Sequence, residues 1–174
     1  MSITRLGLIG AGGMARYHIA NILKQTDTTQ ITAICEPNGD NYEKAAELFE
    51  KAGQAVPPCE ADFEKFMKKH GKDIDAAFIV TPHNQHYPQA TALMLAGKDV
   101  LVEKPMVMNT SEAKKLLKTR DKTGRLLMVA FNGSSSPSIR IAADMLQSYS
   151  SSLIKSNTFC ASVNRPSAIN KSAT

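Results

Sequence analysis

The first residues whose spacing suits chemistry form a glycine-rich loop near the amino terminus. Residues 10–15 read GAGGMA, the pattern G-x-G-x-x-A, between an apolar run and a helical pattern. In such a loop Gly10 makes the tight turn, Gly12 lets a pyrophosphate approach the backbone, and Ala15 keeps helix and strand close. Glycines also serve turns that bind nothing, but this position favours a dinucleotide-binding loop with contacts from Gly10, Ala11, Gly12, Gly13 and Met14.

An acidic residue follows the second apolar run. Glu36 lies 24 residues after Gly12, where a carboxylate can accept hydrogen bonds from both ribose hydroxyls of an adenosine. No arginine follows nearby to bind a 2′-phosphate, so the sequence favours NAD over NADP. The alternative is a solvated loop acid.

Two histidines follow a buried run in the second half of the pattern. Residues 81–86 read TPHNQH after the apolar residues 76–80, which places them at the carboxyl edge, where open α/β sheets bind ligands. His83 and His86 have no third ligand at useful spacing, so no metal site is predicted. His86 either contacts a ligand or caps the following helix.

A lysine closes the next strand, within Glu103-Lys104-Pro105. Beside a bound nicotinamide, Lys104 can hydrogen-bond a substrate hydroxyl and change its proton affinity. The alternative is a solvated lysine that pairs with Glu103.

The elements that must position these residues alternate between short apolar runs and helical periodicity over residues 1–133. This pattern predicts an α/β fold: a doubly wound, mostly parallel sheet with helices on both faces. The predicted strands are 5–9, 31–35, 76–80, 100–102 and 126–131, and the predicted helices begin near Gly13, Asp40, Phe63, Pro88 and Asn109.

Composition changes sharply after residue 133. Residues 134–174 contain twelve serines, whereas residues 1–133 contain two. We therefore expect a dinucleotide-binding domain over 1–133 and a serine-rich tail over 134–174. Within the tail, Ile139 to Leu146 could form one helix, and the remainder has weak periodicity.

Overall composition excludes several classes of protein. The 174 residues, 43% hydrophobic and 21% charged, suit about one globular domain. No apolar run is long enough to span a membrane, and no signal peptide is apparent. Cys35, Cys59 and Cys160 are too scattered for a disulfide framework. We therefore expect a cytoplasmic protein. Of the net charge of +5, +3 falls in residues 134–174, so nucleic-acid binding is not predicted.

Taken together, these motifs resemble the Gfo/Idh/MocA oxidoreductases. The glycine loop, Thr81-Pro82 followed by His86, and residues 96–105, AGKDVLVEKP, occur in the family's order over residues 3–133. The resemblance implies a Rossmann domain that holds NAD(P), with Lys104 contacting substrate and cofactor and with Pro82 and His86 lining the nicotinamide side. The predicted cofactor contacts also include Thr81, Glu103 and His83, which stands where the family usually has asparagine.

Members of that family continue into an α/β substrate domain, which these 174 residues do not include. One hypothesis is therefore the nucleotide-binding part of a dehydrogenase that acts on a sugar, polyol or related small molecule. A second is a module that binds the dinucleotide without turnover, since one wall of the active-site cleft is absent. A methyltransferase would have no use for the T-P-x-x-x-H and E-K-P elements. Apolar surface that a second domain would cover also predicts self-association.

Overall fold

The structure is a computed structural model that describes residues 3–131 and 136–149. The chain divides into two compact units, residues 1–132 and residues 133–174. The division between a dinucleotide-binding domain and a tail stays a prediction in functional terms.

Strands and helices alternate along the first unit. In chain order the elements are β1 (Thr4–Ile9), α1 (Gly13–Ile22), β2 (Thr29–Cys35), α2 (Gly39–Lys51), β3 (Cys59–Glu60), α3 (Phe63–His70), β4 (Ala76–Ile79), α4 (His83–Leu95), β5 (Asp99–Val102), α5 (Thr110–Thr123) and β6 (Leu127–Val129).

The six strands form one parallel sheet in the order β3-β2-β1-β4-β5-β6. The chain winds outward from β1 through β2 to β3 and then returns to start the other half at β4. The carboxyl ends of β1 and β4 therefore lie side by side where the order reverses, which is the position at which open α/β sheets bind ligands. The predicted doubly wound fold is confirmed.

Apolar side chains cover both faces of the sheet. Within β1, Leu8 packs with Ile19 of α1 and Phe49 of α2 on one face, whereas Ile9 packs with Leu93 of α4 and Leu116 of α5 on the other. Alternate residues of a strand point to opposite faces. This two-sided burial explains why the central strands read as continuous apolar runs.

Two helix starts differ from prediction. The side chain that caps α2 is Asn38, not Asp40, because the Asn38 Oδ1 accepts hydrogen bonds from the N–H groups of Asp40 and Asn41. Helix α4 begins at His83, and Pro88 lies inside it rather than at its start. Pro88 and the residue four before it are exposed, so the carbonyl that loses its usual donor can reach water.

Other element boundaries agree more closely with the sequence. The predicted cap of α5 is confirmed, since Asn109 Oδ1 accepts a hydrogen bond from the Glu112 N–H at 2.9 Å. The short strand β3 was not predicted, because two residues show no periodicity.

The second unit contains helix α6 (Pro137–Tyr149) among its described residues. The predicted helix from Ile139 to Leu146 lies inside α6, and Ile139 and Ile141 are exposed. The serine-rich sequence from residue 150 lies outside the described residues. Over the described ranges, the structure has no helix with the length and apolar character that crossing a membrane requires.

Candidate functional site

Gly10 turns the chain at the end of β1, which lies between β2 and β4 in the sheet. Its φ is +96°, and a Cβ there would lie 2.5 Å from the Val80 carbonyl oxygen that follows β4. Its N–H donates to the Cys35 carbonyl at the end of β2, at 2.8 Å. A larger residue would suffer both backbone strain and a clash with backbone atoms. Gly10 thus lets the ends of β1, β2 and β4 meet closely.

Gly12 leaves open space at the start of α1. It is the N-cap residue, it makes no side-chain capping bond, and α1 has no acidic residue in its first turn. Apart from Gly12 itself, its two chain neighbours and the backbone of α1, no described atom lies within 4 Å of the position that a Gly12 Cβ would take. The first N–H groups of α1 are therefore free of a side-chain acceptor, as a helix that receives a phosphate requires.

The absence of a side-chain cap distinguishes α1 and α4 from the other helices of the first unit. Side chains of Asn38, Asp62 and Asn109 cap α2, α3 and α5, whereas α4 follows Pro82 and has no side-chain cap. Helices α1 and α4 follow β1 and β4, the two strands beside the reversal of the sheet. Both free helix starts thus lie at the predicted ligand-binding edge.

Glu36 connects the glycine loop to the start of α2. Its Oε2 accepts the Ala11 N–H at 2.6 Å, and its Oε1 accepts the Asn38 N–H at 2.9 Å. Only 8% of the residue is exposed. A carboxylate has about four lone-pair sites, so each oxygen keeps one for a further donor. These two free acceptor sites suit the two adjacent hydroxyl donors of a ribose.

His86 lies in the interior and joins two loops of the site. The side chain is fully buried. Its Nδ1 lies 2.8 Å from the Pro105 carbonyl oxygen and its Nε2 lies 2.8 Å from the Thr81 carbonyl oxygen. His86 does not cap α4, since its ring faces carbonyl oxygens rather than free N–H groups. A direct contact of His86 with a cofactor stays a prediction.

The other residues predicted at this edge differ in exposure. His83 and Pro82 are exposed, and the Thr81 hydroxyl donates to Gln89 Oε1 at 2.7 Å. Met14 is 48% exposed in the first turn of α1, and Gly13 beside it is exposed too. In the part of the chain that the structure describes, no three His, Cys, Asp or Glu residues gather in a way that could hold a metal ion.

Glu103 and Lys104 follow β5, as predicted, and a histidine that the motifs did not single out accompanies them. His18 of α1 places Nε2 2.7 Å from Glu103 Oε1, and both side chains are largely buried. Glu103 Oε2 accepts the Lys104 N–H at 3.0 Å and lies 3.9 Å from Lys104 Nζ. The Lys104 side chain is 56% exposed, so its ammonium reaches the surface beside this pair.

One sequence signal could have identified His18. The helix α1 buries Ala15 and Ile19, and His18 lies three residues after the first of them, so it falls next to the apolar stripe of the helix. A polar residue there needs a partner once it is buried.

The thiol at the end of β2 is not a candidate nucleophile. Burial, the largest influence, raises the pKa of Cys35 to about 12. Burial also raises the pKa of Cys59 on the neighbouring strand. Since the thiolate is the reactive form, the raised pKa makes Cys35 unreactive at neutral pH and lowers the reactivity of Cys59.

Comparisons with known proteins identify the family of this chain. Residues 4–131 match the Gfo/Idh/MocA group, described as an oxidoreductase family with an NAD-binding Rossmann fold. The chain belongs to this family. It is 35% identical over 131 residues to a glycosyl hydrolase family 109 protein of Streptomyces filamentosus, covering 73% of this chain and 26% of that protein.

Solved structures share the fold. KijD10, a 3-ketoreductase from Actinomadura kijaniata solved with TDP-benzene and NADP in an open conformation, is 28% identical with a TM-score of 0.70, over 84% of this chain and 44% of that chain. The WlbA dehydrogenase from Bordetella pertussis, solved with NADH and UDP-GlcNAcA, is 24% identical with a TM-score of 0.73, over 84% of this chain and 43% of that chain. The chain thus spans less than half the length of these proteins.

Proposed function

We propose that this chain is the nucleotide-binding part of an NAD-dependent dehydrogenase for a sugar, polyol or related hydroxy compound. The observation that carries the proposal is the open start of α1 at Gly12 together with the prepared carboxylate of Glu36. Glu36 contacts the Ala11 N–H and Gly12 is the next residue, so the two features are adjacent and suit the adenosine ribose and the pyrophosphate of one dinucleotide.

We propose NAD as the preferred cofactor. Glu36 is held in place by two backbone N–H groups, so it cannot easily turn away from the ribose. A 2′-phosphate would meet this negative charge, whereas a 2′-hydroxyl would donate a hydrogen bond to it. KijD10 was solved with NADP and WlbA with NADH, so related proteins use both forms.

At the other end of the cofactor, we propose that Lys104 is the catalytic residue. Bound NAD supplies the hydride acceptor. Lys104 carries three N–H donors on a half-exposed side chain, and it can orient a substrate oxygen and stabilise negative charge there. Glu103 accepts the Lys104 backbone N–H and places a carboxylate oxygen 3.9 Å from the ammonium.

The second proposal is that the isolated chain binds the dinucleotide without efficient turnover. The chain covers 26% to 44% of the relatives described above, and substrate specificity and proton transfer usually need groups from both walls of a cleft.

We also propose self-association, because Leu126 and Met128 expose apolar surface at the last strand. The free thiols Cys35 and Cys59 support a reducing compartment such as the cytoplasm.

Titration of the purified chain with NADH tests the main proposal. We expect saturable binding that is lost in Gly12→Val and weakened at least about tenfold in Glu36→Ala, which removes a charged acceptor. Glu47→Ala, an exposed change on α2, is the matched control and should bind normally. Absence of saturable binding by the unaltered chain at millimolar NADH would overturn the proposal.

Turnover separates the two proposals. Reduction of NAD with a panel of polyols and sugars, abolished in Lys104→Ala, would support an active enzyme. Binding of NADH without any NAD reduction would support the module without turnover. Light scattering over a range of concentrations tests self-association, which a constant monomer mass would contradict.

A further inference from the structure

A cation that the motifs did not identify lies beside the proposed ribose site. Arg16, in the second turn of α1, places Nη1 3.0 Å from the Ala11 carbonyl oxygen and 3.3 Å from Asn41 Oδ1. Arg16 therefore spans from the glycine loop to the first turn of α2. It precedes Glu36 by 20 positions, whereas an arginine that binds a 2′-phosphate is expected after the acidic residue.

Arg16 and Glu36 bridge the same gap. Glu36 accepts the Ala11 N–H and the Asn38 N–H, whereas Arg16 donates to the Ala11 carbonyl and to Asn41, three residues after Asn38. The two charged groups form no ion pair with each other within residues 3–131. The notch, as we call the space between Ala11 of the glycine loop and Asn41 of α2, therefore has a carboxylate and a guanidinium at its border, and these two groups are not paired with each other.

Most of the Arg16 donors remain available. Both of its hydrogen bonds come from Nη1, and Nε and Nη2 carry three of the five guanidinium N–H groups. Nη2 lies 3.9 Å from the position that a Gly13 Cβ would take, so this part of the side chain borders the glycine loop. The residue is only partly buried, and a ligand in the notch can reach it.

The start of α2 cannot bind a phosphate by itself. Asn38 Oδ1 already accepts the N–H groups of Asp40 and Asn41, and Asp40 adds a negative charge in the first turn. A phosphate on the 2′-oxygen of the adenosine ribose would therefore meet Glu36 and Asp40 as repelling groups. Arg16 is the group that can offset them with charge-assisted hydrogen bonds.

We infer that Arg16 is a specificity-determining residue. It donates hydrogen bonds to the 2′-phosphate of NADP and so reduces the preference for NAD that Glu36 imposes. This inference rests on the proposed dinucleotide function. It follows that the domain binds both NADH and NADPH and prefers NADH. Removal of Arg16 should increase the ratio of NADH affinity to NADPH affinity.

Binding of NADH and NADPH to Arg16→Gln, measured by calorimetry, tests the inference. Glutamine keeps a hydrogen-bond donor for Ala11 but removes the charge. We expect NADPH binding to weaken at least about tenfold and NADH binding by less than about threefold. Arg120→Gln on α5, where the Arg120 guanidinium donates to its neighbour Asp121, is the charge-matched control and should leave both affinities unchanged.

Equal weakening of both cofactors would overturn the inference, since it would place Arg16 at the shared pyrophosphate or in a structural role. Unchanged NADPH binding would overturn it as well. Failure of the unaltered chain to bind either cofactor would instead reject the proposed function. If Arg16→Gln does not fold, Arg16→Met, which keeps the aliphatic stem of the side chain without its charge, takes its place with the same expected outcome: NADPH binding weakens at least about tenfold and NADH binding by less than about threefold. Unchanged NADPH binding in Arg16→Met would contradict the inference.

Discussion

His18 and Glu103 contact each other through Nε2 and Oε1 at 2.7 Å, although they are 85 residues apart. His18 comes from the helix that follows β1, and Glu103 follows β5. The His18 ring also packs on Phe78 of β4, with ring centroids 4.7 Å apart. The contact therefore links the glycine-loop half of the sheet to the strand end that carries Lys104.

A double-mutant cycle measures this link. We expect His18→Ala and Glu103→Ala each to lower the free energy of unfolding, because each leaves a buried polar partner unpaired, and we expect a coupling energy of about 1–3 kcal/mol. Urea denaturation of the single and double variants gives these values. Strictly additive effects would contradict a direct interaction.

Gly10 and Gly12 should respond differently to the same substitution. Gly10→Ala should lower the free energy of unfolding by at least about 2 kcal/mol, since Gly10 has φ of +96° and no room for a Cβ. Gly12→Ala should change it by less than about 1 kcal/mol, because its Cβ would enter open space. Its effect should appear in NADH binding instead. Similar losses of stability in both variants would oppose this division of roles.

His86 should contribute to stability because its buried ring nitrogens face the carbonyl oxygens of Thr81 and Pro105. Replacement by phenylalanine keeps an aromatic ring but removes both ring nitrogens, and with them the N–H donor that faces a carbonyl oxygen of Thr81 or Pro105. We expect a loss of about 2–4 kcal/mol in unfolding free energy, measured by urea denaturation. His83→Phe is the matched control, because His83 is exposed. An equally small effect at both positions would argue against the bridging role of His86.

Cys35 should be resistant to alkylation. Its pKa is raised to about 12, so at pH 8 the thiolate fraction falls about a thousandfold below that of an ordinary cysteine. The double variant Cys59→Ser, Cys160→Ser isolates this thiol for measurement of iodoacetamide labelling by mass spectrometry. Labelling should become fast in urea. Fast labelling of the folded chain would contradict the burial of Cys35.

Acid stability should depend on Asp75, which pairs with Arg5 at 2.7 Å. Hydrogen bonds from Arg5 lower the pKa of Asp75 from 3.8 to about 2. A lowered pKa in the folded state stabilises the fold above the unfolded pKa, and this stabilisation is lost as the pH falls toward about 2. Thermal unfolding of Asp75→Asn should therefore show less pH dependence between about pH 4 and pH 2 than the unaltered chain does. Identical pH profiles would reject this assignment.

Local spacing made part of this site predictable. The turn at Gly10 and the position of Glu36 follow from residues within one β-α-β unit, where the strand and helix patterns fix the geometry. The place of His18 beside the apolar stripe of α1 indicates burial, but its partner could not be assigned in this way. Glu103 and Asn41, the partners of His18 and Arg16, become their neighbours only when the sheet and helices assemble. The start of α4 was mispredicted for a related reason. A proline usually marks a helix start, but Pro88 lies on the exposed side of α4, where a missing backbone hydrogen bond is tolerated.

The two amide contacts of Glu36 also bear on the thermodynamics of ligand binding. A glutamate that rotates freely in the apo protein must lose side-chain entropy when it grips a ligand, whereas Glu36 is already immobilised by Ala11 and Asn38. The side-chain entropy of Glu36 is therefore lost when the protein folds and not when the ligand binds. The adenosine ribose of the dinucleotide then binds a preorganised acceptor. Shortening the side chain by one methylene, as aspartate would, removes the reach for both amides and returns the penalty to the binding step.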